Sequence, residues 1–420
     1  MAAEPVVITG LDQISALGNG LDELDAAIAH SRSGISAYDL NLPGIDPARI
    51  AVGRVSADLS DLQAPSKLPM DRATALALRV AQTAVAHAGL KPTQVNPLRL
   101  GVYWGSGMAG AHSFDTGCEA LYAHQRRMRP THVVTTMPNA ALAEISLWLK
   151  AQGPCLSYAC ACASSAVAIG EALCALRAGR LDVAVVGGSE SMLTPGVMAS
   201  WNAMRVLAPA LANPATSCQP FDTHRRGFAL GEGAAALVLE SAAHARQRGA
   251  HTVALLSGYG VGTDGTHITN PDVDGQVRAM RMALDDAGLE PGQIGYLNAH
   301  GTATAAGDLA EALSISTVFG EHPVPVSSTK ALHGHLLGAG GAVELVIGVR
   351  SLIRRFLPGA AHIQEPDPRM ALNLVPATGL HAPQVRHVMS NSFAFGGTNA
   401  VLIASAPAPG PKSDAGLGAG

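Results

Sequence analysis

A chain of 420 residues, 48% hydrophobic and only 14% charged, is long enough for one large core or two fused halves and too apolar to be disordered. A net charge of −4 offers no general attraction for nucleic acid, which is therefore not an expected partner. No apolar run reaches membrane-spanning length, and the start of the chain lacks a basic stretch ahead of an apolar one. The expectation is a soluble cytoplasmic enzyme without a membrane partner.

Strand-like and helix-like segments alternate along the chain, the pattern of an α/β architecture. Val6–Gly10 reads as a strand, and Arg72–Leu90 as a helix with apolar residues at helical spacing. Leu100–Trp104 is a strand and Ala140–Lys150 a helix. Val183–Val186 is a short buried strand that stops at Gly187-Gly188. Ala234–Leu239 and Thr252–Tyr259 are strands, Gln276–Ala287 is a helix closed by Gly288, and Gly341–Arg355 is a long helix. Val388–Ser390 and Asn399–Ala404 are the last strands, with a glycine-rich turn between them. From Ser405 onward Ala, Pro and Gly dominate, so 408–420 is expected to be a flexible tail.

The six cysteines are Cys118, Cys155, Cys160, Cys162, Cys174 and Cys218, and a chain of this size without an export signal implies free thiols. The spacing of Cys155, Cys160 and Cys162 matches no zinc pattern. Cys162 follows a strand-like stretch and precedes a small-residue helix, Ser164-Ser165-Ala166-Val167. Unpaired N–H groups at such a helix start favour thiolate over thiol and can hold an oxyanion. Downstream, Asn298-Ala299-His300-Gly301-Thr302-Ala303-Thr304 and Lys330-Ala331-Leu332-His333-Gly334-His335 each place a histidine beside glycine at the end of a strand. One cysteine and two such histidines suit carbonyl chemistry, with the thiol as acyl carrier and the imidazoles as electrophilic partners.

These segments, together with Gly105-Ser106-Gly107, Pro220-Phe221-Asp222, Gly227-Phe228-Ala229-Leu230-Gly231-Glu232-Gly233, Gly338-Ala339-Gly340-Gly341 and Asn391-Ser392-Phe393-Ala394-Phe395-Gly396-Gly397, give the chain its family likeness. It resembles the elongating beta-ketoacyl-[acyl carrier protein] synthases of fatty acid and type II polyketide synthesis. The resemblance implies a thiolase-like five-layer α-β-α-β-α fold built from two similar halves. Residues 1–252 would carry the nucleophile and 253–407 the two histidines. Internal similarity between the halves is only faint, so the sequence itself does not show the duplication.

The resemblance also implies roles. Cys162 takes the nucleophile position, with Cys160 as the alternative. His300 and His335 would stabilise the enolate formed when a malonyl group loses carbon dioxide, and one would also assist a proton or water step. His333 falls outside the motif and is structural. Lys330 biases the charge of the nearby ring. The N–H groups of Cys162 and Phe395 form the oxyanion hole, with Phe393 and Phe395 in the gate. Thr302 and Thr304 bind the phosphopantetheine arm, Met108 and Met137 wall the acyl pocket, and Arg126, Arg127 and Arg205 dock the carrier. Asn298, Glu311, Glu344, Ser390 and Asn391 correspond to a monovalent-cation site for Na+ or K+. No organic cofactor is implied. The expected partners are an acyl carrier protein and a second subunit, either a copy of this chain or a chain-length-factor-like paralogue. Rival readings are a non-catalytic member of such a pair, disfavoured by the intact Cys and His set, and a thiolase acting on coenzyme A esters, disfavoured because no cysteine follows Cys218. Thr131-His132 after Pro130, where elongating fatty-acid members often carry paired phenylalanines, suggests a specialised acyl chain and carrier.

Overall fold

The computed structural model describes residues 4–408, so the tail anticipated at 408–420 lies, beyond residue 408, outside the described residues. Ten strands carry the architecture: β1 (Val6–Ser15), β2 (Leu100–Gly105), β3 (Cys155–Tyr158), β4 (Val183–Glu190), β5 (Gly233–Ser241), β6 (Ala254–Thr263), β7 (Tyr296–Asn298), β8 (Pro325–Ser327), β9 (His387–Phe393) and β10 (Thr398–Ser405). The first five lie side by side as β3-β2-β4-β5-β1 and the second five as β8-β7-β9-β10-β6. Each set therefore follows the order third, second, fourth, fifth, first. In each, the third, second and fourth strands are parallel and the fifth runs antiparallel to both neighbours. The internal repeat that the residues do not reveal is plain in the topology. Val6–Ile8 of β1 pair antiparallel with Ala254–Leu256 of β6 and join the two sheets.

Six helices complete the layers: α1 (Arg72–His87), α2 (Ala140–Leu149), α3 (Ser164–Arg177), α4 (Val273–Ala287), α5 (Ala305–Phe319) and α6 (Gly340–Arg354). α1 and α2 cover the outer face of the first sheet, α4 and α5 that of the second, and α3 and α6 lie between the sheets. The result is the expected five-layer α-β-α-β-α stack. Its middle layer holds the largest core, in which Val167, Ile169 and Leu173 of α3 meet Val343, Val346 and Ile347 of α6 and residues of both sheets. Burial on both sides is why α3 and α6 are apolar nearly all round, whereas α1 and α4 keep a polar face.

Local chemistry sets the ends of these elements. The Asp71 carboxylate accepts from the Ala73 N–H at 2.8 Å and starts α1. Gly89, at φ 56°, turns the chain while the Leu90 N–H bonds the Val85 carbonyl, so α1 closes at His87, short of the expected Leu90. Asp272 caps α4 through the Gly275 N–H at 2.8 Å and begins it three residues earlier than expected. β4 runs on through Gly187-Gly188 to Glu190 instead of stopping at Val186. A Cβ at Gly187 would lie 2.0 Å from the Ala235 carbonyl oxygen, and one at Gly188 2.6 Å from Ser165 Cβ. Those glycines permit close packing within a strand rather than ending it.

The two halves also share a turn. Ala161-Cys162-Ala163 forms a short 3-10 turn ahead of α3, with Ala161 at φ 47°. Leu337-Gly338-Ala339 does the same ahead of α6, with Leu337 at φ 46°. Non-glycine residues avoid this left-handed region, so two such elbows at matching places mark the points where the fold holds its backbone under constraint.

Candidate active site

Both elbows point into one site. Cys162 Sγ lies 3.0 Å from His335 Nε2, and a ligand atom from each of Cys162, His300 and His335 falls within 4.8 Å of the others. The rings of His300 and His335 meet edge to face at 5.3 Å. The Leu337 N–H approaches His335 Nδ1 at 3.3 Å. A backbone N–H can only donate, so Nδ1 is the acceptor and the ring proton sits on Nε2, aimed at the sulfur. His335 is thus a donor to Cys162 rather than its base.

Electrostatics keep both rings neutral. Burial and the charge of Lys330 hold His300 and His335 well below the ordinary imidazole range. Lys330 itself is buried against Glu344, which accepts from its Nζ. Burial pushes the Glu344 carboxyl up to about 7, with Lys330 pulling it back. Cys162 departs from expectation. Burial pushes its thiol up to about 12, outweighing the pull of Lys330 and of the Phe395 and Cys162 N–H groups. The helix start alone does not ionise it, because few charges or waters reach so enclosed a sulfur. The same two N–H groups stand beside the sulfur, where a carbonyl under attack would place its oxygen.

A cavity of about 330 Å³ opens onto this group. Phe228, Phe393, Phe395 and Trp201 form its apolar wall, and Thr302 and Thr304, whose hydroxyls lie 3.0 Å apart, form part of its polar wall. Phe395 stacks on Trp201 at 6.3 Å, and Phe393 packs on His300 at 6.2 Å. Cys160 is half-buried at the rim of the central core and does not line the cavity. His333 is fully buried, bonded to Thr329 Oγ1 and the Gly334 carbonyl oxygen, away from the cavity lining.

Other predicted site residues are scattered. Met108 and Met137 are 48% and 45% exposed, and neither lines the cavity. Within one chain they do not wall an acyl tunnel. The turn following Met108 packs on the helix preceding Met137, since a Cβ at Gly110 would lie 2.4 Å from Thr136 Cα, and this leaves both side chains on open surface. Arg205 is exposed between Met204 and Val206 at the cavity, whereas Arg126 and Arg127 lie in an exposed connection outside its lining. Glu311 accepts from the His300 and Gly301 N–H groups and from Asn391 Nδ2, and Asn298 Oδ1 faces Thr329. Glu344 Oε2, Ser390 Oγ and Asn391 Oδ1 are buried with no partner. These are hard oxygens, the donor type that alkali cations take.

Sequence reasoning missed Trp201, Phe228 and Glu190. Trp201 carried one signal, being among only three tryptophans in the chain. Glu190 carried another, an acid closing an apolar strand.

Comparison with known proteins agrees with this geometry. Residues 3–245 match the beta-ketoacyl synthase N-terminal domain and residues 253–364 its C-terminal domain. The chain belongs to the beta-ketoacyl synthase family. It is an acyltransferase of the condensing kind, joining an enzyme-bound acyl group to a malonyl unit with loss of carbon dioxide. Nodulation protein E of Rhizobium meliloti is 38% identical over 94% of this chain and 98% of its own. The 3-oxoacyl-[acyl-carrier-protein] synthase 2 of Vibrio cholerae is 35% identical over 96% and 99%. Among solved structures, the ishigamide ketosynthase/chain length factor superposes with a TM-score of 0.87 at 30% identity, covering 97% of this chain and all of that one. Among the described residues no helix is long and apolar enough to cross a membrane.

Proposed function

We propose that Cys162 carries the growing acyl chain and that His300 and His335 stabilise the malonyl-derived enolate. The convergence of one sulfur and two neutral imidazoles on one cavity carries this reading. Cys162 Sγ attacks the thioester carbonyl of an acyl carrier. The oxyanion rests on the Cys162 and Phe395 N–H groups, and the thiol proton leaves with the departing pantetheine sulfur. A malonyl carrier follows. Its bond to carbon dioxide breaks, the electron pair becomes an enolate, and the enolate oxygen accepts the His335 Nε2–H. The enolate carbon then attacks the acyl carbonyl, the electron pair of the C–S bond returns to Cys162, and the thiolate takes a proton from water to restore the thiol. Lys330 keeps the imidazoles neutral throughout, so they donate hydrogen bonds without trapping the enolate as an acid would.

Thr302 and Thr304 bind the phosphopantetheine arm from the cavity wall. Arg205, at the cavity, and the more distant Arg126 and Arg127 receive an acidic carrier protein. Phe395 gates the cavity against Trp201. Glu344, Ser390 and Asn391, backed by Asn298 and Glu311, hold a monovalent cation that supplies fixed positive charge behind the histidines. The synthase assembles in pairs, as a homodimer or with a paralogue, through the surface bearing Met108, Phe114, Val133, Met137 and Leu156. Those apolar side chains are exposed, and Leu156 lies on β3, the free edge of the first sheet. The acyl pocket walled by Met108 and Met137 closes only on that assembly. Six free cysteines favour a reducing, cytoplasmic setting.

Intact-mass analysis after incubation with acyl carriers, followed by peptide mapping, tests this. The acyl mass should sit on Cys162, and carbon dioxide release should require malonyl carrier. Acyl mass on Cys160, or faster turnover of coenzyme A esters than of carrier esters, would overturn it.

A further inference from the structure

Glu190 ends β4 with its side chain fully buried beside the reacting group, and no step above uses it. Its carboxylate accepts from the Gly107 N–H at 2.6 Å, the Met108 N–H at 3.2 Å, the Ser106 hydroxyl at 3.2 Å and the Gly338 N–H at 3.2 Å. Three of these donors come from the loop after β2 and one from the elbow ahead of α6. A single carboxylate therefore clamps together loops from the two halves of the fold. The fit is tight on both sides, since a Cβ at Gly107 would meet Glu190 Oε2 at 2.9 Å and one at Gly338 would meet it at 2.7 Å.

The clamp acts one bond away from the chemistry. Gly338 follows Leu337, which is held at φ 46° in a region that L-residues avoid. In that conformation the Leu337 N–H meets His335 Nδ1, which leaves the ring proton on Nε2, 3.0 Å from Cys162 Sγ. We propose that Glu190 is a positioning residue: by anchoring Gly338 it holds the Leu337 elbow in its strained form, and the elbow in turn fixes the tautomer and aim of His335. Four donors to one buried carboxylate are more than a packing role requires. Burial pushes this carboxyl up to about 7 despite the pull of the four donors. This inference rests on the reading that His335 serves decarboxylation.

A double-mutant cycle on malonyl-carrier decarboxylation separates the two. Glu190→Gln turns an amide toward N–H donors and should slow carbon dioxide release by at least tenfold in the otherwise native dimer. In the His335→Ala background the same change should cost less than about twofold, because nothing is left to aim. An equal tenfold loss in that background would overturn the positioning role while leaving the histidine reading intact. If His335→Ala alone leaves decarboxylation unchanged, the histidine reading itself falls. Should Glu190→Gln not be recovered folded, Glu190→Asp decides the matter. It keeps the charge but is one methylene too short to reach both loops, and the same non-additive loss is expected. Native decarboxylation by Glu190→Asp would overturn the proposal.

Discussion

Cys162 gives up the ionisation usual for an active-site thiol in exchange for enclosure. Its thiol is pushed up to about 12, so the reactive thiolate is scarce at neutral pH and increases with rising pH. Alkylation of Cys162 by iodoacetamide should therefore climb steadily beyond about pH 9, where an ordinary cysteine has begun to level; a plateau near neutrality would contradict the burial argument. Lys330 is the strongest counterweight. Lys330→Met should slow alkylation at fixed pH, and it leaves Glu344 buried without its partner, at a cost of about 3–5 kcal/mol in unfolding experiments. The histidines should separate by half-reaction. His300→Ala should leave acylation of Cys162 near native and slow carbon dioxide release by roughly a hundredfold. His335→Ala should slow release as much and acylation by about tenfold, since its Nε2–H also faces the sulfur. Equal acylation rates in the two variants would remove that contact from the mechanism. Cys162, His300 and His335 were legible in the sequence because each sits in a small-residue motif of the family likeness. The raised thiol was not, because enclosure by segments distant in the chain, such as those of Met192, Phe228 and Leu337, leaves no local trace.

Glycine shapes the elements in two ways, and only one can be read from a linear chain. Gly89 and Gly288 end helices at φ 56° and 64°, and a glycine after an amphipathic run signals that role. Gly187 and Gly188 lie within β4 and make room for β5 and α3. In sequence they look like a stop, which is why the strand was expected to end at Val186. Gly187→Ala would press a methyl onto a backbone oxygen that cannot move without breaking the β4–β5 ladder. It should cost about 1–3 kcal/mol, read as a lower urea midpoint with unchanged slope; a native midpoint would mean the sheet yields there. α1 and α4 were likewise found to within a few residues at each end, because their exposed faces and caps leave a pattern. Met108 and Met137 were misplaced in a single chain for the opposite reason. On the proposed assembly their matched positions belong to a pocket shared between subunits, and a single chain shows only exposed side chains there.

At the scale of the whole molecule, that open side predicts assembly. Leu156→Asp places a charge on the free edge of the first sheet and should convert the dimer to monomer in sedimentation at micromolar protein. Persistence of the dimer would move the interface elsewhere. In the assembled enzyme Met108→Trp should shorten the preferred acyl chain as a graded change in kcat/KM, each methylene being worth about 1–3 kcal/mol. The twofold plan of the molecule was only faint in the residues because the two sheets share an order of strands and not a string of amino acids. It survives most clearly in the paired elbows at Ala161 and Leu337. The two elbows take the same place in each half, ahead of a helix between the sheets, and only the first carries a nucleophile. The middle position holds cysteine in the first copy and glycine in the second, where a Cβ at Gly338 would strike the Gly107 nitrogen at 2.2 Å. The space a second sulfur would need has been filled by the backbone that serves the first. The repeated frame is thus used unequally, with a sulfur on one elbow and close-packed backbone on its twin.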